Sequence, residues 1–168
     1  MHVTIEQPIE QEEVYIKTQL TAMHLALENA TGQMEENISS IDSFSKLDVW
    51  ANACGLAFGY DINITSLIPL LDDENATILA FQVNGQIAGT AVIYQTNNNM
   101  GVHQVGVLPS FQKRGIGKTI MLHIMAVSKK KACKTMTLQA SQSGLPMYLN
   151  LGFIPLADIF HLEKNSSS

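Results

Sequence analysis

Apolar residues at Val14, Leu20, Met23, Leu27 and Ala30 recur near every 3.6 positions, the spacing that lines one face of a helix, so residues 10–30 are expected to be helical. Residues 31–42 are polar and interrupted by Gly32, which suits a loop with room for one short strand. Ser45-Lys46-Leu47-Asp48 has the form of a capping box ahead of an apolar run and predicts a helix to about Ala57, stopped by Gly59. A second short helix fits Thr65–Leu71 and ends at Asp72-Asp73-Glu74. Beyond that point the pattern changes to strands. Thr77–Val83 and Gln86–Tyr94 flank Asn84-Gly85, a pair whose residues both tolerate positive φ and which therefore marks a tight hairpin. Asn97-Asn98-Asn99 is a polar loop tip, and Gly101–Leu108 is a third strand stopped by Pro109. Helical spacing returns over Gly115–Lys131, with Ile120, Ile124 and Val127 on one face. A strand over Thr135–Ala140, a short helix over Gly144–Asn150 and a last strand over Phe153–Leu162 complete the pattern. Helices first and then β-hairpin, β, α, β, α, β predict an α/β protein with one mixed sheet and helices packed on it.

The 168 residues suffice for one domain with its own core. Charged residues make up only 15% of the chain, and 75–112 contains no Asp, Glu, Lys or Arg. Gln, Asn and Thr interrupt that stretch every few residues, so it is no membrane span. No basic segment followed by an apolar core opens the chain, and a cytoplasmic location is expected. Cys54 and Cys133 have apolar neighbours and read as small buried hydrophobes in a reducing compartment, not as a disulfide framework. The five histidines show no ligand spacing, so no metal is expected. Trp50 reads as core.

Charge is divided along the chain. Residues 1–74 hold 13 acids against 2 bases, and 113–168 hold 8 bases against 2 acids. A basic C-terminal third in a chain of net charge −5 suits a local anionic ligand better than a nucleic-acid track. Lys129, Lys130, Lys131 and Lys134 also suit a helix C-terminus. The acidic half suits a basic acceptor approaching by electrostatic steering.

The informative run is Val105-Gly106-Val107-Leu108-Pro109-Ser110-Phe111-Gln112-Lys113-Arg114-Gly115-Ile116-Gly117-Lys118. A strand ends, a loop turns, and two glycines open a long helix. Amide groups at such a start have no intrahelical partners, and with the helix dipole they favour a pyrophosphate. Lys113, Arg114 and Lys118 add positive charge there. Gly115-Ile116-Gly117-Lys118-Thr119 also resembles the end of a P-loop, but the first glycine of that motif would fall on Gln112, and Thr137-Leu138-Gln139 offers no Walker-B aspartate.

Gln112-Lys113-Arg114-Gly115-Ile116-Gly117 is the pattern Q-x-x-G-x-G and resembles the GNAT superfamily of N-acetyltransferases. Val105-Gly106-Val107-Leu108-Pro109 is similar to that family's fourth strand. Leu138-Gln139-Ala140-Ser141, followed by Gly144 and by Tyr148-Leu149-Asn150-Leu151-Gly152-Phe153, is similar to its fifth strand and the helix after it. The resemblance implies a mostly antiparallel mixed sheet splayed between the fourth and fifth strands, with helices on both faces. It implies acetyl-CoA as co-substrate in that splay, with the pantetheine arm beside Val105, Gly106 and Val107. The pyrophosphate would be held by Gln112, Lys113, Arg114, Gly115, Ile116, Gly117 and Lys118, and Ser141 stands where many members place an asparagine that contacts CoA. It further implies acetyl transfer to a primary amine by direct attack in a ternary complex, with Tyr148 protonating the CoA thiolate. His103 is the only titratable side chain of the fourth strand and the candidate base; alternation puts it on the face of Val105 and Val107, with Gln104 on the other. Phe58, Tyr60 and Asp61 lie where the family's acceptor enters, which would be a small-molecule or peptide amine. A homodimer is common in the family. The domain is expected over 36–163, with 1–35 as a helical extension and 164–168 as a disordered tail. The alternative is a GNAT fold that binds CoA or acyl-CoA without transfer.

Overall fold

The computed structural model describes residues 14–164. In chain order it contains β1 (Val14–Ala26), β2 (Ile38–Ser40), α1 (Phe44–Phe58), α2 (Ile64–Leu67) with a 3-10 turn over Ile68–Leu71, β3 (Ala76–Val83), β4 (Gln86–Thr96) and β5 (Asn99–Val107). A 3-10 turn at Pro109–Phe111, α3 (Ile116–Lys130), β6 (Thr135–Ala140), α4 (Leu145–Asn150) and β7 (Ile154–Lys164) follow. The strands form one mixed sheet in the order β2-β3-β4-β5-β6-β1-β7. Every pairing is antiparallel except that of β5 with β6.

Each face of the sheet carries its own core. On one face α1 presents Leu47, Trp50 and Cys54 to Ile78, Ala80 and Val92. Trp50 is fully buried and satisfies its only polar atom by donating Nε1–H to the Leu79 carbonyl at 2.8 Å. On the other face α3 presents Ile120, Met121, Ile124 and Met125 to Met23, Ile93, Met100, Val102 and Leu138, with Tyr148 and Phe153 closing the end. Both cysteines are free and buried. The Asn84-Gly85 hairpin forms with φ of 50° and 77°, the mirror-image turn that matches strand twist.

Two sequence expectations need correction. The helix expected over 10–30 is a strand wherever it is described. Thr21, Met23, Leu25 and Leu27 are buried in alternation, and β1 inserts between β6 and β7. Met23 and Leu27 satisfy both the helical and the strand spacing, and the two waiting strand edges decide between them. The remainder of that expectation, residues 1–13, lies outside the described residues, as does the tail 165–168. The helix expected from a Ser45 capping box begins two residues earlier, with Ser43 as its N-cap and no side-chain cap bond.

Two irregularities set β5 apart from a regular strand. β5 and β6 pair only from Asn99–Thr135 to Val102–Leu138 and then part. Between β4 and β5, Thr90 stands opposite Gly106 while Val92 stands opposite His103, so three steps along β5 match two along β4. That is a β-bulge, and Gln104 within it has φ of 55°.

Candidate active site

Where β5 and β6 separate, a cavity of about 740 Å³ opens. From β5 it is lined by His103, Gln104 and Val105, and from the end of β6 by Gln139 and Ser141. Phe58 and Tyr60 come from the C-terminal end of α1, and Tyr148 from α4. The structure thus brings together the candidate acid, the candidate base, two of the three candidate acceptor residues and part of the expected pantetheine edge. Asp61 lies apart, in a neighbouring cavity of about 660 Å³ with Asp48 and Asn52; Tyr60 borders both.

The bulge corrects the alternation expected for β5. His103 pairs with Val92 and Gly106 with Thr90, so His103 shares the α1 face with Gly106 and not the face of Val105 and Val107. Gln104 also turns to α1: its Oε1 accepts from Cys54 Sγ at 3.7 Å. A Cβ at Gly106 would come within 2.8 Å of the Phe58 ring, so glycine lets α1 lie against the strand here. Thr90, fully buried on β4, donates its Oγ1–H to the Gln104 carbonyl at 3.0 Å. A trans peptide holds its C=O and N–H on opposite sides, and no cis bond occurs among the described residues. With the Gln104 carbonyl held by β4, the Val105 N–H is turned away from β4, toward the side that β6 has left. Desolvation by the cavity walls holds His103 below the usual histidine pKa, which keeps its ring neutral and able to accept a proton.

Tyr148 is positioned by α4 and by edge-on contact with Phe153, their ring centroids 5.7 Å apart. Burial pushes its pKa up to about 12, so the phenol keeps its proton throughout the ordinary pH range. Ser141 fixes the start of α4 as well as lining the cavity: its Oγ accepts from the Gly144 N–H at 3.2 Å and meets Ser143 Oγ at 3.2 Å.

The loop before α3 has the expected form. Gly115 is the N-cap with φ of 76°, and Lys113 is also left-handed with φ of 62°. The first helical bond runs from Thr119 N–H to the Gly115 carbonyl at 3.0 Å, which leaves the amides of Ile116, Gly117 and Lys118 without intrahelical acceptors. No acidic residue occupies that first turn. Lys113, Arg114 and Lys118 are exposed around it. Gln112 ties the loop to the end of β5 by donating Nε2–H to the Val107 carbonyl at 3.3 Å. Arg114 lies over the Phe111 ring at 5.3 Å and donates to the Ser110 carbonyl at 3.4 Å. The cleft beside Val105–Val107 and the amide-lined, basic turn beyond it suit an extended ligand with an anionic end.

The cavity also draws on Lys17, Thr18 and Leu20 of β1 and His161 of β7, to which the sequence did not point. The alternation of Thr21, Met23, Leu25 and Leu27 was the signal that could have put β1 in the sheet. Nothing local marks His161. Among the described residues no three His, Cys, Asp or Glu gather as a metal site, and no helix is long and apolar enough to cross a membrane.

The model of the acetyltransferase (GNAT) family matches residues 43–153. Over 83 residues the chain is 31% identical to a glucosamine 6-phosphate N-acetyltransferase of Trypanosoma brucei brucei, covering 45% of this chain and 56% of that enzyme. A GCN5-related N-acetyltransferase structure from Sphaerobacter thermophilus superposes with a TM-score of 0.67 at 18% identity, over 90% of this chain and 53% of that one. The structure of AAC(6')-Iy in complex with a CoA-based bisubstrate analogue superposes with a TM-score of 0.62 at 18% identity, over 74% of this chain and 95% of that one. The chain thus spans little more than half the length of the first two relatives.

Proposed function

Because this chain belongs to the GNAT acetyltransferase family, we propose that it moves an acetyl group from acetyl-CoA to a primary amine by direct attack in a ternary complex. One observation carries this reading: the parting of β5 and β6 opens a cavity that holds both Tyr148 and His103 beside a basic, glycine-capped helix start. The unpaired edge of β5 at Val105, Gly106 and Val107 suits the amide-bearing pantetheine arm. Gln112 to Lys118 suit the pyrophosphate, and Ser141 borders the same cleft. When bound, acetyl-CoA supplies the thioester whose cleavage drives transfer.

The chain's residues divide the remaining work. His103, held neutral by desolvation, takes the proton that the attacking amine must lose. An ordinary lysine-like amine has a pKa of about 10.4 and is mostly charged at neutral pH, so such a base is needed. The Val105 N–H, turned toward the gap, is a fixed donor for negative charge developing on the carbonyl oxygen. Tyr148, protonated until about pH 12, returns a proton to the departing thiolate. Phe58 and Tyr60 border the acceptor's entrance, with Asp61 in the adjoining cavity.

The acceptor is a small-molecule or peptide amine. The catalytic domain extends beyond the expected 36–163 to include β1, which joins β6 to β7; the active unit is a homodimer, and the compartment is the reducing cytoplasm. The test is CoA release from acetyl-CoA across a panel of amino sugars, aminoglycosides, polyamines and peptide N-termini. Turnover with at least one class, abolished in Tyr148→Phe, is expected. Tight CoA binding with no turnover across the panel would leave a binding module in place of an enzyme.

A further inference from the structure

The cavity between β5 and β6 has one wall that the transfer chemistry leaves unused. It is built by β1 and β7, which supply Lys17, Thr18, Leu20 and His161. These strands pair antiparallel, with Ile16 opposite Leu162 and Thr18 opposite His161. Lys17 is therefore the extra residue of a bulge. In a regular strand Lys17 and Thr18 would point to opposite faces. A bulge re-aims a side chain, and here both residues line the cavity. Three hydrogen-bond donors thus stand together on one wall: the Lys17 ammonium, the Thr18 hydroxyl and the His161 ring.

The charges around this wall say what it suits. Among the described residues no Asp or Glu lines the cavity. The carboxylates of Asp48 and Asp61 belong to the adjoining one. Glu163, two positions beyond His161, accepts from Lys17 Nζ at 3.2 Å and from the Tyr15 hydroxyl at 2.7 Å. That carboxylate orients the ammonium and takes one of its three hydrogens. The ion pair is exposed, 60% and 44% at its two side chains, so it is worth little and yields readily to a competing anion. The basic acceptor expected from the acidic N-terminal half would find no counter-ion in this cavity, whereas an oxyanion finds three donors. Resting on the acetyl-transfer reading of this cavity, we propose that the acceptor is a primary amine that also carries an anionic oxygen group, a phosphate or a carboxylate, held by Lys17, Thr18 and His161. The wall of β1 and β7 then selects the amine on which His103 and Tyr148 act.

Two matched pairs of amines test this: ethanolamine against O-phosphoethanolamine, and β-alaninamide against β-alanine. Binding is read without any acetyl donor, from the His161 ring signals in NMR spectra of the full chain saturated with CoA. His161→Gln assigns those signals. Saturable shifts are expected with at least one anionic amine, and which of the two binds separates phosphate from carboxylate. The anionic member should bind about ten- to a hundredfold more tightly than its neutral partner, the usual worth of hydrogen bonds to a charged group. Lys17→Gln should remove that preference. Glu163→Gln, which frees Lys17, should enlarge it, a gain that damage to the fold would not produce. No shift with either anionic amine, equal binding of the neutral partners, or a preference that survives Lys17→Gln overturns the proposal. Failure of the transfer reading would look different: the anionic amine binds, yet no amine of the wider panel releases CoA from acetyl-CoA.

Discussion

Replacing Thr90 with valine removes one hydroxyl from a fully buried site and changes little else in volume. The Oγ1 of Thr90 is the donor that holds the Gln104 carbonyl at 3.0 Å, at the bulge where β5 leaves the regular ladder with β4. Without it that carbonyl loses a buried partner, at about 1–3 kcal/mol. At about 2–4 °C per kcal/mol for a chain of this length, Tm should fall by about 2–12 °C. The larger effect should fall on chemistry. Gln104 sits at φ of 55°, a conformation a non-glycine residue keeps only when its surroundings enforce it. Once released, the 104–105 peptide can rotate and take the Val105 N–H away from the gap. Loss of one oriented donor to a developing oxyanion lowers kcat by about 10²–10³, and partial rotation would give about ten- to a hundredfold. Affinity for CoA should hardly change, because the turn at Gln112 to Lys118, proposed to hold the pyrophosphate, is untouched. Thr90→Ser separates the two effects. It keeps the hydroxyl but gives up a buried methyl, about 0.8 kcal/mol, so it loses stability yet retains kcat. The assay is steady-state CoA release with Tm measured on the same preparations. Full kcat in Thr90→Val, or equal impairment in Thr90→Ser, would refute the positioning role.

Tyr148→Phe should lower kcat by about 10²-fold or more with unchanged acetyl-CoA affinity by calorimetry; an unaltered kcat would remove Tyr148 as the acid. Lys113→Glu with Arg114→Glu should weaken CoA binding by about tenfold or more at low salt, with the difference narrowing as ionic strength rises, because exposed charges are screened; a salt-independent loss would point to a misfolded loop. Since His103 lies below its usual value and Tyr148 near 12, kcat/KM should fall in acid as His103 gains its proton, with no alkaline limb from Tyr148 below about pH 12. Stability should follow the same sign: burial depresses both His103 and His123, so the unfolded chain takes protons first as pH drops below 6.5. Urea midpoints should therefore decline as the pH falls from 7.5 through 6.5 and below, and flat midpoints would contradict the assigned burial.

Much of the site was legible because its parts are local. Asn84-Gly85 permits few turns other than the mirror-image hairpin, and Gly115 with Gly117 opens α3 where the spacing of Ile120 and Ile124 requires a helix. The β6–α4 segment carries Tyr148 at a fixed distance from Ser141, so the proposed acid and the cleft edge arrive together. What the sequence concealed was non-local. The apolar spacing of β1 fits a helix, and only the edges of β6 and β7 hold it extended; Lys17 and Thr18 therefore could not be assigned to the cavity beforehand. The bulge was equally hidden, because Gln104 takes positive φ without the glycine or asparagine that marks such positions. The hydroxyl that meets its carbonyl belongs to Thr90, a residue of another strand. Strict alternation accordingly assigned His103 to the wrong face while naming the right residue for the cavity.

The central claim is that acetyl-CoA occupies the cleft between β5 and β6, and thermal unfolding with acetyl-CoA, CoA, or ATP plus Mg²⁺ in parallel tests it most directly. At about 100-fold above Kd, binding adds about 2.7 kcal/mol, a rise of about 5–10 °C for this chain. The account predicts that rise with both CoA species and none with ATP. No rise with acetyl-CoA at millimolar concentration, or a rise with ATP in its place, would contradict it.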